Sequence, residues 1–271
     1  MKNKKLKWLI FIPGILLVII SVYPMLWTLC GSVNTESQLG RVSVIPEGFT
    51  LQNFITVFTQ YDFPGYIANT LIFALTAMLL SLPVNGLAAY SLSRLRFPGR
   101  NVLFILVLAT MMIPFSVTMI PLFVVVRDMG LLNSLGALIL PSIAGGFGIF
   151  MMRQFFMNIP RELEDAAKID GLSYLGIFFH IVVPLSKPIF LSLGLFSFLS
   201  CWNSYLWPLI ANNEETYWVL STGIAAFAAD RNTDWNMILT GATVSMIPTG
   251  ILFAFFQKQL VEGVKMSGLK L

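Results

Sequence analysis

Long apolar runs alternate with short polar segments along the 271 residues of this chain. A helix of about 20 apolar residues is long enough to cross the hydrocarbon core of a bilayer. No Asp, Glu, Lys, Arg or His lies inside any of the six runs that approach this length. The predicted spans cover residues 8–30, 66–92, 102–126, 135–152, 188–210 and 237–256. The pattern therefore predicts an all-α polytopic membrane protein whose six transmembrane helices form a single domain over residues 1–271.

Proline and glycine interrupt several of these spans. Gly145, Gly146 and Gly148 lie near the end of the fourth span, which is the shortest. The prolines within or beside spans are Pro13, Pro24, Pro83, Pro114, Pro121 and Pro208. We expect kinks at these sites, since neighbouring helices in a membrane protein can satisfy the freed backbone groups.

A shorter helical pattern follows the first span. In "TLQNFITVFTQ", apolar residues recur at helical spacing at Leu51, Phe54, Ile55 and Phe58, and Thr50 precedes them as a candidate N-cap. The pattern predicts an amphipathic helix at the outer face of the membrane. Two interpretations stay open, a docking surface for an external partner and a helix that only rests at the interface.

Composition and charge support the membrane assignment and orient the chain. Mean hydropathy is +0.80, and only 11% of the residues are charged, which excludes a soluble domain. Of 17 Lys and Arg residues, 14 fall in one set of loops, and only Arg41, Arg127 and Arg231 fall in the other. Because cytoplasmic loops are enriched in Lys and Arg, both termini and the loop 153–187 are predicted to be cytoplasmic. The net charge of +4 then reflects topology, and we expect no nucleic-acid partner.

The first span and the two cysteines each allow two interpretations. The segment "KNKKLK" is typical of a signal peptide, but the apolar run after it is long and has no small-residue cleavage site, which favours an uncleaved anchor. Cys30 and Cys201 lie in or at the end of spans, where packing is favoured over a disulfide or a metal pair. We expect no metal site.

One charged segment, "RELEDAAKIDGLSYLGIFFHIVVP" at 161–184, separates two apolar runs. Pro160 suits the first turn of a helix, and acidic residues near a helix start are favoured by the macrodipole. Gly171 is a candidate left-handed cap, and Ser173 can cap a second helix. The segment therefore predicts a helix, a glycine turn and a helix. It either stabilises only its own loop or presents a surface to a partner.

Several kinds of chemistry are absent from the sequence. It holds no G-x-x-x-x-G-K-[ST], H-E-x-x-H or G-x-S-x-G motif, and its one histidine, His180, is more typical of a packing or interface residue than of a ligand. The sequence therefore offers no catalytic residues that would support a membrane enzyme. The lack of a titratable residue in any span argues against a proton-coupled carrier, whereas a sodium-coupled carrier could use backbone carbonyls of broken helices. An ion-coupled secondary transporter of small polar solutes thus stays open as the alternative.

The spacing in the charged segment carries a resemblance to a known family. Asp165-Ala166-Ala167, then Gly171, and then Ile-x-Val-Pro ending at Pro184 resemble the cytoplasmic loop signature of permease subunits of binding-protein-dependent ABC importers. Asp165 stands where the family usually has Glu, and Val183 where it usually has Leu. The segments "AAYSLSRLRFPGRN", "GLLNSLGALILPSIAGGFGIFMMRQFF", "CWNSYLWPLI" and "DWNMILTGATVSMIPTGILFAFFQKQLVEG" are similar to the maltose-permease type within the carbohydrate branch, over about residues 66–264.

The resemblance implies a type I ABC importer permease fold, in the cell membrane of a prokaryote, and a role in moving carbohydrates, above all oligosaccharides, without changing them covalently. The implied partners are a second, non-identical permease, a dimer of cytoplasmic ATPase subunits, an extracellular or periplasmic sugar-binding protein and membrane lipid. The chain itself would bind no cofactor, because ATP and Mg²⁺ would be held by the ATPase. The residues implied in ATPase coupling are Glu164, Asp165, Ala166, Ala167, Asp170, Gly171 and Pro184.

Two further sites follow from the same resemblance. Trp202, Asn203 and Tyr205 are candidates for the substrate pathway, because aromatic rings can stack on sugars and an amide can bond hydroxyls. For each of the two aromatic residues, packing between spans or a position at the membrane interface is the favoured alternative. In the last outer loop, residues 211–236, the candidate contact with the binding protein is Gly223, Ile224, Ala225, Ala226 and Phe227, placed at the loop tip.

Overall fold

All regular secondary structure in the described residues is helical. The computed structural model describes residues 2–35, 48–229 and 234–268, and within them the only extended pairing is an isolated bridge between Asn34 and Phe49. The α-helices are α1 (Lys2–Ser32), α2 (Gln52–Gln60), α3 (Phe63–Arg94), α4 (Arg100–Met111), α5 (Phe115–Asp128), α6 (Leu135–Ser142), α7 (Gly146–Phe156), α8 (Arg161–Ile169), α9 (Tyr174–Ile177), α10 (Val183–Leu185), α11 (Lys187–Trp202), α12 (Leu206–Ala211), α13 (Leu220–Ala229) and α14 (Trp235–Gly268). A π-helix (Phe178–Val182) joins α9 to α10, and a 3-10 turn (Glu215–Tyr217) precedes α13.

Four helical segments are long and apolar enough to cross a membrane. They are Phe11–Ser32, Phe63–Arg94, Leu135–Phe156 and Trp235–Gln257. The first, second, fourth and sixth predicted spans each fall within or overlap one of these helical segments.

The third predicted span is not one continuous helix. Helices α4 and α5 meet at an angle of 104°, so the kink expected within the span 102–126 is a sharp break between two helices. The break falls at Pro114, whose backbone is extended (φ −59°, ψ 140°). Proline lacks an N–H and disfavours a helical conformation of the residue before it, which is Ile113. Pro121, in contrast, is accommodated inside α5.

The fifth predicted span, 188–210, is also shorter than expected. Its helix α11 ends at Trp202, and residues 206–211 form the separate helix α12. At the end of α11, the Leu199 carbonyl accepts both from the backbone N–H of Asn203 at 3.0 Å and from Nδ2 of the same residue at 2.8 Å. At its other end α11 bends by 83° from the helices that precede it.

Backbone contacts divide the described residues into two compact units. One comprises Met1–Tyr66 with Leu220–Thr249, and the other comprises Ile67–Val219 with Gly250–Leu271. In the first unit, Asn53 of α2 donates to the carbonyls of Ser32 and Asn34, at 3.0 and 2.9 Å. These two bonds attach α2 to the end of α1.

The predicted amphipathic helix is confirmed as α2, with a shifted boundary. Leu51 is the N-cap residue, and the Thr50 hydroxyl accepts a hydrogen bond from the N–H of Gln52 at 3.0 Å. Most of the predicted apolar face is exposed, since Leu51, Ile55 and Phe58 are 41–56% accessible. The residues that α2 buries are Asn53 and Val57.

In the second unit, Asn85 holds the break in the fourth span. The helices α6 and α7 are separated by residues 143–145, and Asn85 of α3 donates to the carbonyl of Ile143 at 3.3 Å and accepts from the N–H of Gly145 at 3.1 Å. A Cβ atom at Gly148 would lie 3.0 Å from the Asn85 amide. Glycine there allows α3 and α7 to approach closely, and the amide satisfies two backbone groups that the break leaves unpaired.

Candidate functional site

The charged segment folds as a helix that ends in a glycine turn. Helix α8 begins after Pro160, and Gly171 has a left-handed backbone with φ +84°. The N–H of Gly171 donates to the carbonyl of Lys168, and the N–H of Leu172 donates to the carbonyl of Ala167, both at 3.0 Å. This is the Schellman arrangement, in which glycine avoids the steric cost of a Cβ atom. The predicted cap at Gly171 is confirmed.

The second predicted helix is confirmed as well. Ser173 is its N-cap, with its hydroxyl accepting from the N–H of Gly176 at 3.2 Å. The helix runs from α9 through the π-helix to α10, which contains Pro184. The observed helix, turn and helix therefore match the order read from the sequence.

The inner side of α8 carries a buried ion pair. Glu164 Oε1 lies 3.0 Å from Nε of Arg94, and the two side chains are 7% and 3% exposed. The N–H is not aligned on this oxygen, so the contact is an ion pair without a linear hydrogen bond. Arg94 Nη2 also donates to the carbonyls of Ile159, at 2.6 Å, and of Phe156. One guanidinium at the end of α3 thus holds both α8 and the end of α7.

This geometry changes the interpretation of Glu164. The sequence placed Glu164 among the residues that contact an ATPase, but its side chain faces the chain's own interior. Arg94 was not singled out, although one signal was visible: it is the last residue of a long apolar helix, where a charge needs water or a partner.

Apolar packing extends this attachment. Ala167 of α8 is 4% exposed and belongs to one buried cluster with residues of the following helix and of the spans. The other members are Ala89, Tyr90, Met152, Phe156, Ile159, Ile177, Phe178, Val182, Ile189 and Leu193. A Cβ atom at Gly86 of α3 would lie 3.2 Å from the Phe178 ring. The charged segment is therefore built onto α3, α7 and α11, and its backbone cannot shift without disturbing their packing.

The opposite side of the segment exposes large apolar side chains. Ile169 is 87% exposed, Leu175 59%, Tyr174 58% and Leu163 43%. Ile169 is the last residue of α8, and Tyr174 begins α9, so they flank the glycine turn. A group of exposed apolar side chains on a charged helix makes this side of the segment a candidate interaction surface.

The remaining predicted coupling residues lie on the same accessible side. Asp165, Ala166 and Asp170 are exposed. Lys168 Nζ donates to Asp165 Oδ1 at 3.0 Å, and this hydrogen bond raises the pKa of Lys168 above its ordinary value. Lysine is already charged at neutral pH, so the pair adds no pH dependence there.

The candidate pathway residues differ in accessibility. Trp202 is 2% exposed and stacks on Phe198, with ring centroids 5.8 Å apart. The Asn203 amide donates to its own helix, at Leu199. Tyr205 is 45% exposed. Trp202 therefore has the packing role that was its alternative interpretation, and Tyr205 is the aromatic residue of the three that is accessible.

The candidate contact residues Gly223–Phe227 do not form a loop tip, so that placement is wrong. They lie inside α13, where Phe227 is 6% exposed and its ring meets Phe63 at 6.0 Å and Tyr61 at 4.7 Å. A Cβ atom at Gly223 would collide with the Tyr66 ring. The small and aromatic residues of this segment pack within their own unit, which explains an apolar composition that a solvated loop would not need.

Cysteine and histidine have ordinary environments. Cys30 and Cys201 are free thiols, and His180 Nδ1 lies 2.9 Å from the carbonyl of Gly176. Among the described residues, no group of three or more His, Cys, Asp or Glu side chains is arranged to hold a metal ion.

Together these observations define a class of protein: a polytopic helical membrane permease with a helical surface segment anchored on its spans. The chain belongs to the family described as the binding-protein-dependent transport system inner membrane component, which matches residues 86–266. The protein is thus an inner-membrane permease and not an enzyme. The ion-coupled secondary transporter, the alternative left open by the sequence, receives no support.

Similar proteins cover nearly the whole chain. The arabinooligosaccharides transport system permease protein AraQ of Halalkalibacterium halodurans is 33% identical over 98% of this chain and 97% of its own length. The lactose transport system permease protein LacG of Rhizobium radiobacter is 34% identical over 90% of each. A bacterial ABC transporter involved in the import of the acidic polysaccharide alginate, known from a crystal structure, matches the fold with a TM-score of 0.85 at 24% identity, over 95% of this chain and 97% of that one.

Proposed function

We propose that this chain is one of two non-identical permease subunits of an ATP-driven importer for oligosaccharides. The printed names of the relatives support a carbohydrate, since they name arabinooligosaccharides and lactose. A related alginate transporter was crystallised in complex with a periplasmic protein that holds an alginate pentasaccharide. By analogy, a binding protein outside the membrane delivers the sugar to this permease. The chain moves its solute without covalent chemistry.

The α8–α9 segment is proposed as the docking site for a cytoplasmic ATPase subunit, and one observation carries this proposal. Exposed apolar residues, above all Ile169, flank a turn whose other side is held by the buried pair of Glu164 and Arg94. A surface that served only its own loop would turn these apolar groups inward. ATP and Mg²⁺ bind to the ATPase, and this chain presents a rigid contact to it.

The attachment suggests how a movement of the ATPase reaches the membrane. A push on α8 acts through the ion pair on the end of α3, and through Ala167 and Phe178 on the packed cluster. Packed cores change between discrete arrangements and do not deform continuously. We therefore infer that the segment and its spans move together as the two ATPase subunits close on ATP and reopen after hydrolysis.

The orientation follows from charge. The excess of Lys and Arg on one set of loops supports cytoplasmic N- and C-termini and places α8 at the cytoplasmic face. Tyr205 is the exposed aromatic residue proposed to meet the sugar. The exposed residues around α13, which contains Ile224, Ala225 and Ala226, are the remaining candidates to meet the binding protein.

Co-purification and one substitution pair test the proposal. A tagged chain purified in mild detergent is expected to bring a second permease and an ATPase. Gly171→Asp is then compared with Gly171→Asn, because the two side chains have equal size and both tolerate the left-handed backbone. A Cβ atom at Gly171 meets nothing within 4 Å, so both variants are expected to reach the membrane.

The charge alone then distinguishes the two variants. We expect Gly171→Asp to lose sugar uptake in proteoliposomes of the complete transporter, and Gly171→Asn to keep most of it. Normal uptake with Gly171→Asp, or purification without any ATPase, would contradict the coupling role.

A further inference from the structure

A basic pocket lies beside the start of α4 and reaches Arg161, the first residue of α8. It has a volume of about 540 Å³ and is lined by Arg96, Arg100 and Arg161, with Phe97 and Asn101 among its other walls. Among the described residues, none of these three arginines forms an ion pair with a carboxylate. Arg100 Nη1 donates to the carbonyl of Leu95 at 3.1 Å, so the pocket concentrates positive charge that no carboxylate of the described residues neutralises.

Backbone donors add to this charge. Gly99 is the N-cap of α4 and offers no side-chain cap, so the first N–H groups of the 12-residue helix have no side-chain acceptor at that position. Free N–H groups and the helix dipole together favour an anion at a helix start. A fourth arginine, Arg153, lies near enough to Arg100 for the two charges to repel each other. An anion would reduce that repulsion.

An apolar cleft adjoins the basic pocket. It has a volume of about 530 Å³, and Phe97 lines both cavities. Its walls are apolar residues of α3, α4 and α7, such as Ala88, Leu103, Leu106 and Ile149. Leu103 and Leu106 are about half exposed, so the cleft is open along the apolar face of α4, where an acyl chain could enter.

We propose that the two cavities together bind one anionic phospholipid of the inner leaflet. The arginines hold the phosphodiester, and an acyl chain follows α4 into the cleft. Basic pockets between membrane helices on the cytoplasmic side suit anionic headgroups, and the shared wall at Phe97 joins headgroup to chain. This proposal rests on the proposed function only for the cytoplasmic orientation of the pocket. A soluble anion would occupy the basic pocket but would have no use for the apolar cleft. An acidic protein surface would need neither a deep pocket nor an apolar cleft, so the pair of cavities favours a lipid.

Binding is measured by native mass spectrometry of the complete transporter, with phosphatidylglycerol and phosphatidylcholine of matched chain length. Phosphatidylglycerol is expected to bind more tightly. Replacing Arg96 and Arg161 together by Gln is expected to weaken it by roughly 25-fold, since each charge near the surface contributes about five-fold. The matched loss of two other charges, Arg127→Gln with Lys187→Gln, is expected to leave the preference unchanged.

The apolar cleft is tested separately. Ala88→Leu on α3 fills the cleft and is expected to weaken both lipids. Ala109→Leu on α4, a residue outside the cleft lining, serves as the control. Equal headgroup preference in the arginine variant would overturn the proposal. So would displacement of phosphatidylglycerol by inorganic phosphate, which indicates a free-anion site, or binding seen only after the ATPase is removed, which indicates an acidic protein surface. These readouts do not require transport, so they remain informative if the proposed function fails.

Discussion

The ion pair between Arg94 and Glu164 gives the sharpest quantitative test of the anchoring described above. At 3.0 Å, an effective dielectric constant of about 20 gives an attraction of roughly 5 kcal/mol. Much of this is offset by the cost of removing both groups from water. Removing only one partner leaves the other charge buried, which typically costs about 3–5 kcal/mol. For Glu164→Gln we expect the lower value, about 3 kcal/mol, because Arg94 keeps its bonds to two carbonyls.

A double-mutant cycle isolates the pair. Arg94→Met also deprives the carbonyl of Ile159 of its donor, but this loss occurs in both the single and the double variant and therefore cancels. Glu164→Leu with Arg94→Met is expected to cost about 2 kcal/mol less than the two single changes added together, since no charge then remains buried. The free energy of unfolding is followed by tryptophan fluorescence during denaturation of the complex in detergent.

The same variants report on coupling. Glu162→Gln is the matched control, because Glu162 lies on the same first turn of α8 but is exposed, and it is expected to change stability by less than about 1 kcal/mol. In proteoliposomes, Glu164→Gln is expected to retain the ATPase and to import less sugar for each ATP hydrolysed. Additive energies in the cycle, together with unchanged transport per ATP, would refute the idea that this pair anchors the helix.

Three further predictions concern other parts of the second unit. Ile169→Asp is expected to leave the fold intact, since the residue is 87% exposed, but to weaken ATPase binding by roughly 30-fold, which corresponds to a loss of about 2 kcal/mol at an interface. Ile169→Val, which keeps an apolar side chain, is the control, and binding as weak as that of the Asp variant would contradict the prediction. Asn85→Leu removes two hydrogen bonds to the backbone at 143–145 and is expected to lower the stability of the chain by about 1–2 kcal/mol, measured by thermal unfolding in detergent. A stability equal to that of the parent protein would show that the Asn85 amide is not required to stabilise the break between α6 and α7. In the same assay, Gly171→Ala is expected to lower the stability by about 1 kcal/mol, because residue 171 has a left-handed backbone with φ +84°. Gly171→Asn is expected to lower it less, since asparagine adopts this conformation more readily; equal losses of stability would point to side-chain contacts and not to backbone strain.

Much of the fold was predictable because hydropathy acts locally. An apolar run of sufficient length forms a helix in lipid, where every backbone polar group must be bonded internally. The positions of α1, α3 and α14 follow from this rule. The helix, turn and helix at 161–184 was predictable for a related reason, since Gly171 and Ser173 act on backbone groups only a few residues away.

Other features depended on distant residues. The sequence marked Pro114 as a site of interruption, but the 104° between α4 and α5 reflects where each helix finds a surface to pack against. Residues 223–227 were expected at an outer loop tip because the loop 211–236 resembles the family segment that reaches toward the binding protein, yet contacts with Tyr61 and Phe63 favour a packed helix.

The sequence by itself determined that this protein crosses a membrane as helices, and it located the charged segment that distinguishes its family. Only the tertiary structure decided which side of that segment is free. Glu164 turns inward and Ile169 outward, against the usual preference of each residue, because folding brings Arg94 beside Glu164. A buried carboxylate is stable only next to an opposite charge, and no pattern within α8 specifies where that charge comes from.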